Sequence, residues 1–224
     1  MLQEILQDVP SVPHVPFLVA CFYTDNYAEE AARLRSSLDE TGTPYYLRHY
    51  SSRGFWEANT RIKPEFLLDC LKRFPGRDIV YLDADSVVRS RLELFYDFPG
   101  DLGVYMAPQG SGLSHRYLTG TLYLRNCPAM HAFLQAWIDA QEGMVLGVDQ
   151  DSFTTAIEAI SGLRVEPLPE SYVKIFDRGC TTPVVEHFQA SRRRVKLQRT
   201  LKKCRNTLVF SALLGSVLWM ALHH

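Results

Sequence analysis

The chain has no CxxC pair. Its five cysteines, Cys21, Cys70, Cys127, Cys180 and Cys204, are scattered and odd in number. That gives neither a disulfide framework nor the ligand spacing of a structural zinc, and points to free thiols in a reducing, cytoplasmic compartment. The amino terminus, MLQEILQDVPSVPHVP, lacks the basic start of a secretory leader. No internal repeat or long low-complexity linker is present. Acidic residues are missing from Arg192 onward, where eight basic residues fall. The formal net charge of −1 therefore averages an acidic body and a basic tail. An acidic body argues against a nucleic-acid binder, while the tail remains suited to an anionic surface. With 224 residues, 46% of them hydrophobic, the chain suffices for one core and an appendage.

What is there begins with FLVACFY, Phe17 to Tyr23, a continuous apolar run typical of a central strand. Ala28, Ala31, Leu34 and Leu38 follow at helical spacing, TGTP stops that helix, and Tyr45 to Tyr50 reads as a second strand. Pro64 suits the start of a helix whose apolar face is Phe66, Leu67, Cys70, Leu71 and Phe74. The next strand is Ile79 to Leu82. This strand–helix alternation predicts an α/β fold with a mostly parallel sheet flanked by helices. Beyond Val88, strands are expected at Leu102–Met106, Thr121–Arg125, Val173–Phe176 and Val184–Phe188. Helices are expected from Pro128, with Phe133, Leu134, Trp137 and Ile138 inward, and over Gln150–Ile160. The composition break near Ser191 divides a domain over 1–191 from a basic, then apolar, helical tail over 192–224.

IVYLDADSVV, Ile79 to Val88, carries the chemistry. A buried strand delivers Asp83 and Asp85, one residue apart, to the carboxyl end of a parallel sheet, where ligands collect. Two carboxylates on a turn can converge on a hard cation, Mg²⁺ or Mn²⁺, which keeps positions for water and phosphate. The bland reading is a strand-end cap and a solvated aspartate; short motifs match by chance.

Four segments in order resemble the GT-A-fold glycosyltransferases, the nucleotide-diphospho-sugar transferases. They are WEANTRIKPEFLLDCL, IVYLDADSVV, TGTLYLRN with DQDSF, and VEHFQASRR. The resemblance spans roughly residues 17–195. It implies that Asp83 and Asp85 form the DxD pair, one contacting the ribose or a water and the other ligating Mn²⁺ or Mg²⁺, and that His187 completes the metal shell. Phe22, Tyr23 and Thr24 would cradle the nucleotide. Lys63 would hold the donor, Gly120 and Thr121 would lie beside its sugar, and Asp149 and Gln150 would stand on the acceptor side as catalytic residues, with Asp149 the candidate base if the mechanism needs one. Lys63, Arg192 or Arg193 would add positive charge against the leaving diphosphate. The implied reaction moves a sugar from a nucleotide-diphosphate donor, UDP-linked as first choice, to a glycan, lipid or protein acceptor.

Each assignment has a plainer rival: a strand-end histidine for His187, a solvated lysine for Lys63, capping residues for Asp149 and Asp151, a solvated basic run at Arg192. Trp56 reads as a core aromatic beneath the donor loop. DADSV also matches the first motif of haloacid-dehalogenase-like phosphatases, with Asp83 as nucleophile, but no lysine occurs from Ser86 to Val148 to serve that chemistry. A non-catalytic nucleotide-sugar or partner-binding protein is the third reading. In the tail, Thr207 to Leu222 is uncharged over sixteen residues, short of the ~20 that span a bilayer. Its basic flank favours an anionic membrane surface.

Overall fold

A computed structural model describes residues 4–7, 15–144, 147–175 and 182–188, all within the unit Met1–Phe188. The tail over 192–224, with Arg192 and the apolar segment, lies outside the described residues. Among the described residues no helix is long and apolar enough to cross a membrane.

Strand β2 (Phe17–Tyr23) is buried along nearly its whole length. It pairs in parallel with β3 (Tyr45–His49) on one side and β4 (Asp78–Leu82) on the other. Its apolar run is continuous because both faces are covered. Val19 and Cys21 face α1 (Ala28–Thr41) in one core, with Val80, Leu82, Leu34 and Leu38. Leu18 and Ala20 face the opposite core with Ile79, Tyr81 and residues of α3 (Lys63–Arg73). Alternate residues part between the two cores, as the pleat requires. Helix α1 ends at Gly42, whose φ of 63° is the left-handed turn that glycine adopts freely.

Among the described residues, seven strands form the main sheet, in the order β1-β3-β2-β4-β7-β6-β8. The other strands are β1 (Glu4–Gln7), β6 (Leu102–Met106), β7 (Tyr117–Leu124) and β8 (Val165–Pro167). Only β1 and β7 run against the common direction. β1, in the polar amino-terminal segment, was not expected from the sequence. β7 begins four residues ahead of the expected Thr121, because Thr119 and Gly120 interrupt its apolar pattern without ending its pairing with β6. Leu82 pairs with Thr121, so Tyr117 to Gly120 project past the end of β4, over the edge where Asp83 emerges.

Helix α2 (Trp56–Thr60) precedes α3, and α4 (Pro128–Asp139) and α5 (Asp149–Ala159) cover the same face as α3. The buried Trp137 indole donates to Asp149 O at 3.1 Å and Ser152 Oγ at 3.0 Å, which ties the start of α5 to α4. A second sheet joins β5 (Ser86–Val88), β10 (Val185–His187) and β9 (Lys174–Ile175). Its register sets His187 opposite Ser86.

Candidate metal and donor site

The DADS turn is built by the backbone. Asp83 N–H donates to Gly120 O at 2.9 Å, Ser86 N–H closes the turn onto Asp83 O at 3.0 Å, and Phe188 N–H binds Asp85 O at 3.0 Å. The first bond ties the turn to β7, and the last ties it to the end of β10. Asp83, Asp85 and His187 thereby offer ligand atoms that all lie within 4.8 Å of one another. Two donors on opposite sides of one ion, each at about 2.1–2.2 Å, stand about 4.3 Å apart, so a small side-chain adjustment closes the set. Two carboxylate oxygens and an imidazole nitrogen suit Mn²⁺ or Mg²⁺.

His187 is buried, at 7% exposure. Burial pushes its pKa down to about 4, against the opposing pull of Asp83, so the ring is neutral near pH 7 and keeps a lone pair. The hydrogen bonds say which nitrogen carries it. The Thr121 hydroxyl donates its single proton to Tyr172 O at 2.8 Å. It must then accept from Nε2–H of His187, also at 2.8 Å. Nδ1 is left as the acceptor, 3.1 Å from the Ser86 hydroxyl. This is the indirect support that fixes the tautomer of a metal-binding histidine.

Gly120 keeps the space beside His187 and Asp83 open. A Cβ there would lie 3.0 Å from His187 Cε1 and 3.2 Å from both His187 Nδ1 and Asp83 Oδ2. Gly120→Ala is therefore expected to leave the fold intact but to weaken Mn²⁺ binding by about tenfold or more. Isothermal titration with Mn²⁺ checks this; unchanged affinity would show that Gly120 does not border the ion.

Lys63 is buried, at 3% exposure, where the plainer reading expected a solvated side chain. Its ammonium lies 2.6 Å from Asp149 Oδ2 and 3.1 Å from Asp83 Oδ1. It also donates to Thr119 O and Oγ1 and sits 4.9 Å from the centre of the Tyr81 ring. Burial alone would lower its pKa, but Asp149 and Asp83 outweigh that and raise it. Lys63 is accordingly charged. Tyr81 donates to Asp83 Oδ1 at 2.8 Å. Its hydroxyl is held protonated by burial and then by the Asp83 charge. Asp149, 5% exposed, accepts from Thr119 Oγ1 at 2.7 Å as well. Among the described residues, the carboxylates of Asp83 and Asp149 thus meet the Lys63 ammonium, and Asp83 also stands with Asp85 and the neutral imidazole of His187.

The other expected residues sit along the same edge. Tyr23 and Thr24 are buried at the end of β2, where Tyr50 N–H binds Tyr23 O. Phe22 is half-buried, against the rings of Tyr50, Phe66 and Tyr81. Gln150 is half-buried in the first turn of α5. Asp151, not Asp149, acts as the cap, accepting from Val148 N–H at 2.9 Å. Trp56 is not a core aromatic: it is 37% exposed, on a single-turn helix, α2, that buries none of its residues. Tyr81, Ser86 and Thr119 were not anticipated. Tyr81 read only as strand core, and Thr119 gave no signal beyond its place beside Gly120.

The phosphatase reading needed a cation downstream of Asp83, whereas the lysine beside it, Lys63, comes upstream. No family model matches the sequence, and no curated protein sequence matches it. Solved structures do match its fold. A glycosyltransferase involved in glycosylation of the major capsid of PBCV-1 aligns with TM-score 0.62 at 13% identity, over 80% of this chain and 96% of that one. The glycosyltransferase GlyE of Streptococcus pneumoniae TIGR4 aligns with TM-score 0.55 at 15% identity, over 78% of this chain and 55% of that one. The galactosyltransferase LgtC, in complex with donor and acceptor sugar analogs, aligns with TM-score 0.50 at 14% identity, over 78% and 87%. The chain shares the GT-A fold of these glycosyltransferases.

Proposed function

We propose that the protein is a metal-dependent glycosyltransferase that moves a sugar from a nucleotide-diphosphate donor, UDP-linked as first choice, to a glycan, lipid or protein acceptor. The observation that carries this is the convergence of Asp83, Asp85 and His187 at the carboxyl edge of a GT-A sheet. These three residues would hold Mn²⁺ or Mg²⁺, which supplies Lewis-acid stabilisation to the departing diphosphate.

The remaining roles belong to the chain itself. Phe22, Tyr23 and Thr24, at the end of β2, would receive the nucleotide. Gly120, without a side chain, and Thr121 would lie beside the donor sugar. Lys63 would place a fixed positive charge beside the donor, a pre-organised contribution of a few kcal/mol in a dry site (roughly). Asp149 and Gln150 stand on the acceptor side. The contacts of the Asp149 carboxylate with Lys63 and Thr119 support a positioning role rather than that of a proton acceptor. Arg192 is proposed as a further cation for the diphosphate.

Titration with UDP tests the reading. Affinity is expected to rise at least about tenfold when Mn²⁺ is present, since two carboxylates otherwise repel the diphosphate. Equal affinity with and without Mn²⁺ overturns the metal assignment. Metal-dependent UDP binding without turnover of any UDP-sugar would favour the non-catalytic reading.

A further inference from the structure

Resting on the glycosyltransfer reading, we propose that Phe55 and Trp56 form a stacking platform for a pyranose ring of the acceptor, so that the acceptor is a carbohydrate at the point of attachment. Among the described residues these two are the large hydrophobic side chains left exposed, at 51% and 37%. Adjacent exposed aromatics are a feature to explain, whereas single exposed apolar residues are not.

Their loop is ordered by its own polar bonds, none of which covers the rings. Asn59 Oδ1 accepts from Arg53 N–H at 2.7 Å, and Asn59 Nδ2 donates to Ser52 Oγ at 3.1 Å. Gly54 N–H donates to the same Ser52 hydroxyl at 3.2 Å, and the positive φ of Gly54, 103°, makes the bend. Arg53 pairs with Glu65 on α3. The aromatic pair is therefore held out, not left out.

Its place points to the acceptor. The loop leaves the carboxyl end of β3, on the edge where Asp83 leaves β4. Trp56 and Thr60 are four apart on α2, so they share a face about 6 Å apart along the axis. Thr60 Oγ1 accepts from Asp149 N–H at 3.3 Å, and Arg61 donates to Met144 O just ahead of α5. Trp56 thus lies one turn from the start of α5. On the other flank of that start, His115 from the β6–β7 loop bonds Asp151 Oδ1 at 3.2 Å and Ser114 Oγ at 2.9 Å. An aromatic face with Gln150, Asp151 and His115 beyond it suits a ligand that has an apolar face and a rim of hydroxyls. A pyranose is such a ligand; an acyl chain has no use for the polar rim.

Saturation-transfer NMR on the full chain with UDP and Mg²⁺ provides the test. The probes are the methyl glycosides of β-galactose, β-glucose, α-mannose and β-N-acetylglucosamine. At least one is expected to receive magnetisation from protein aromatic protons at its ring C–H groups. The signal should disappear in Phe55→Ala/Trp56→Ala and persist in Trp56→Phe. UDP affinity is measured in parallel by calorimetry. If UDP binds with the metal but no glycoside receives transfer, or if the double variant keeps the signal, the platform is wrong while the functional reading stands. If the double variant instead loses self-association in ultracentrifugation or flotation with anionic vesicles and its glycoside signal is unchanged, the pair serves a second copy or a bilayer, and the proposal is overturned. If UDP fails to bind with any divalent ion, the functional reading fails and the platform falls with it.

Discussion

Asp85→Ala is expected to lower turnover of the sugar nucleotide by about 10²–10³-fold or more, the scale of removing a placed charge-stabilising group, while leaving the melting temperature nearly unchanged. The two effects separate because main-chain bonds hold the turn. Backbone bonds from Asp83, Ser86 and Phe188 build it, and Asp85 is partly exposed, where substitutions typically shift stability by within about 0.5 kcal/mol. What the alanine removes is one of the three groups proposed to hold the metal. The loss should appear equally as weaker Mn²⁺-dependent UDP binding. Asp85→Asn, which keeps the shape and an oxygen but not the charge, should fall between. Turnover by Asp85→Ala within about threefold of the parent would remove the DxD pair from the chemistry, because a loss of a unit charge on the ion is worth far more than that.

Lys63→Met should be costly in a different way. The variant keeps the volume and loses the charge, leaving Asp149 buried and Asp83 without its cation. Removing one partner of a buried ion pair costs about 3–5 kcal/mol. For a domain of this size that corresponds to a melting temperature lower by on the order of 10 °C. Turnover should fall as well, but that alone would not separate a damaged fold from a lost donor contact. The double variant Lys63→Met/Asp149→Leu makes the separation. Replacing both partners by apolar groups is far less costly than orphaning one, so stability should largely return while turnover stays low. If Lys63→Met melts within about 2 °C of the parent, the buried cluster does not carry the energy assigned to it.

Asp149 was the carboxylate that the motif placed on the acceptor side. In the fold its carboxylate is bonded to Lys63 and Thr119, and the Trp137 indole secures its backbone. A proton acceptor for the incoming hydroxyl would need an accessible oxygen, and a carboxylate that is 5% exposed and already bonded to Lys63 and Thr119 does not present one. The same contacts make Asp149 well suited to holding Lys63 in place.

Much of this architecture was legible along the chain. The runs FLVACFY and IVYL are apolar without alternation because helices cover both faces of β2 and β4, so their sequence alone marks central strands. Helix α3 was equally plain, from Pro64 and its apolar stripe. Asp83 and Asp85 announced themselves because both carboxylates come from one turn, and local spacing is all that such a pair requires. The start of β7 was misjudged because Thr119 and Gly120 belong to the site and break the strand pattern there. The position of His187 was decided only by tertiary structure. Its partner Ser86 lies 101 residues away, and the two meet through the register of a three-residue strand, β10, on β5. The burial of Lys63 was likewise invisible, since a lysine before a proline reads as solvated until α3, β4, β7 and α5 enclose it. Trp56 shows the converse: its composition promised core, and a single-turn helix left it in solvent. Covalent spacing determines which groups one turn can present. Which distant groups join them, and which side chains lose water, depends on packing between elements that no local pattern records.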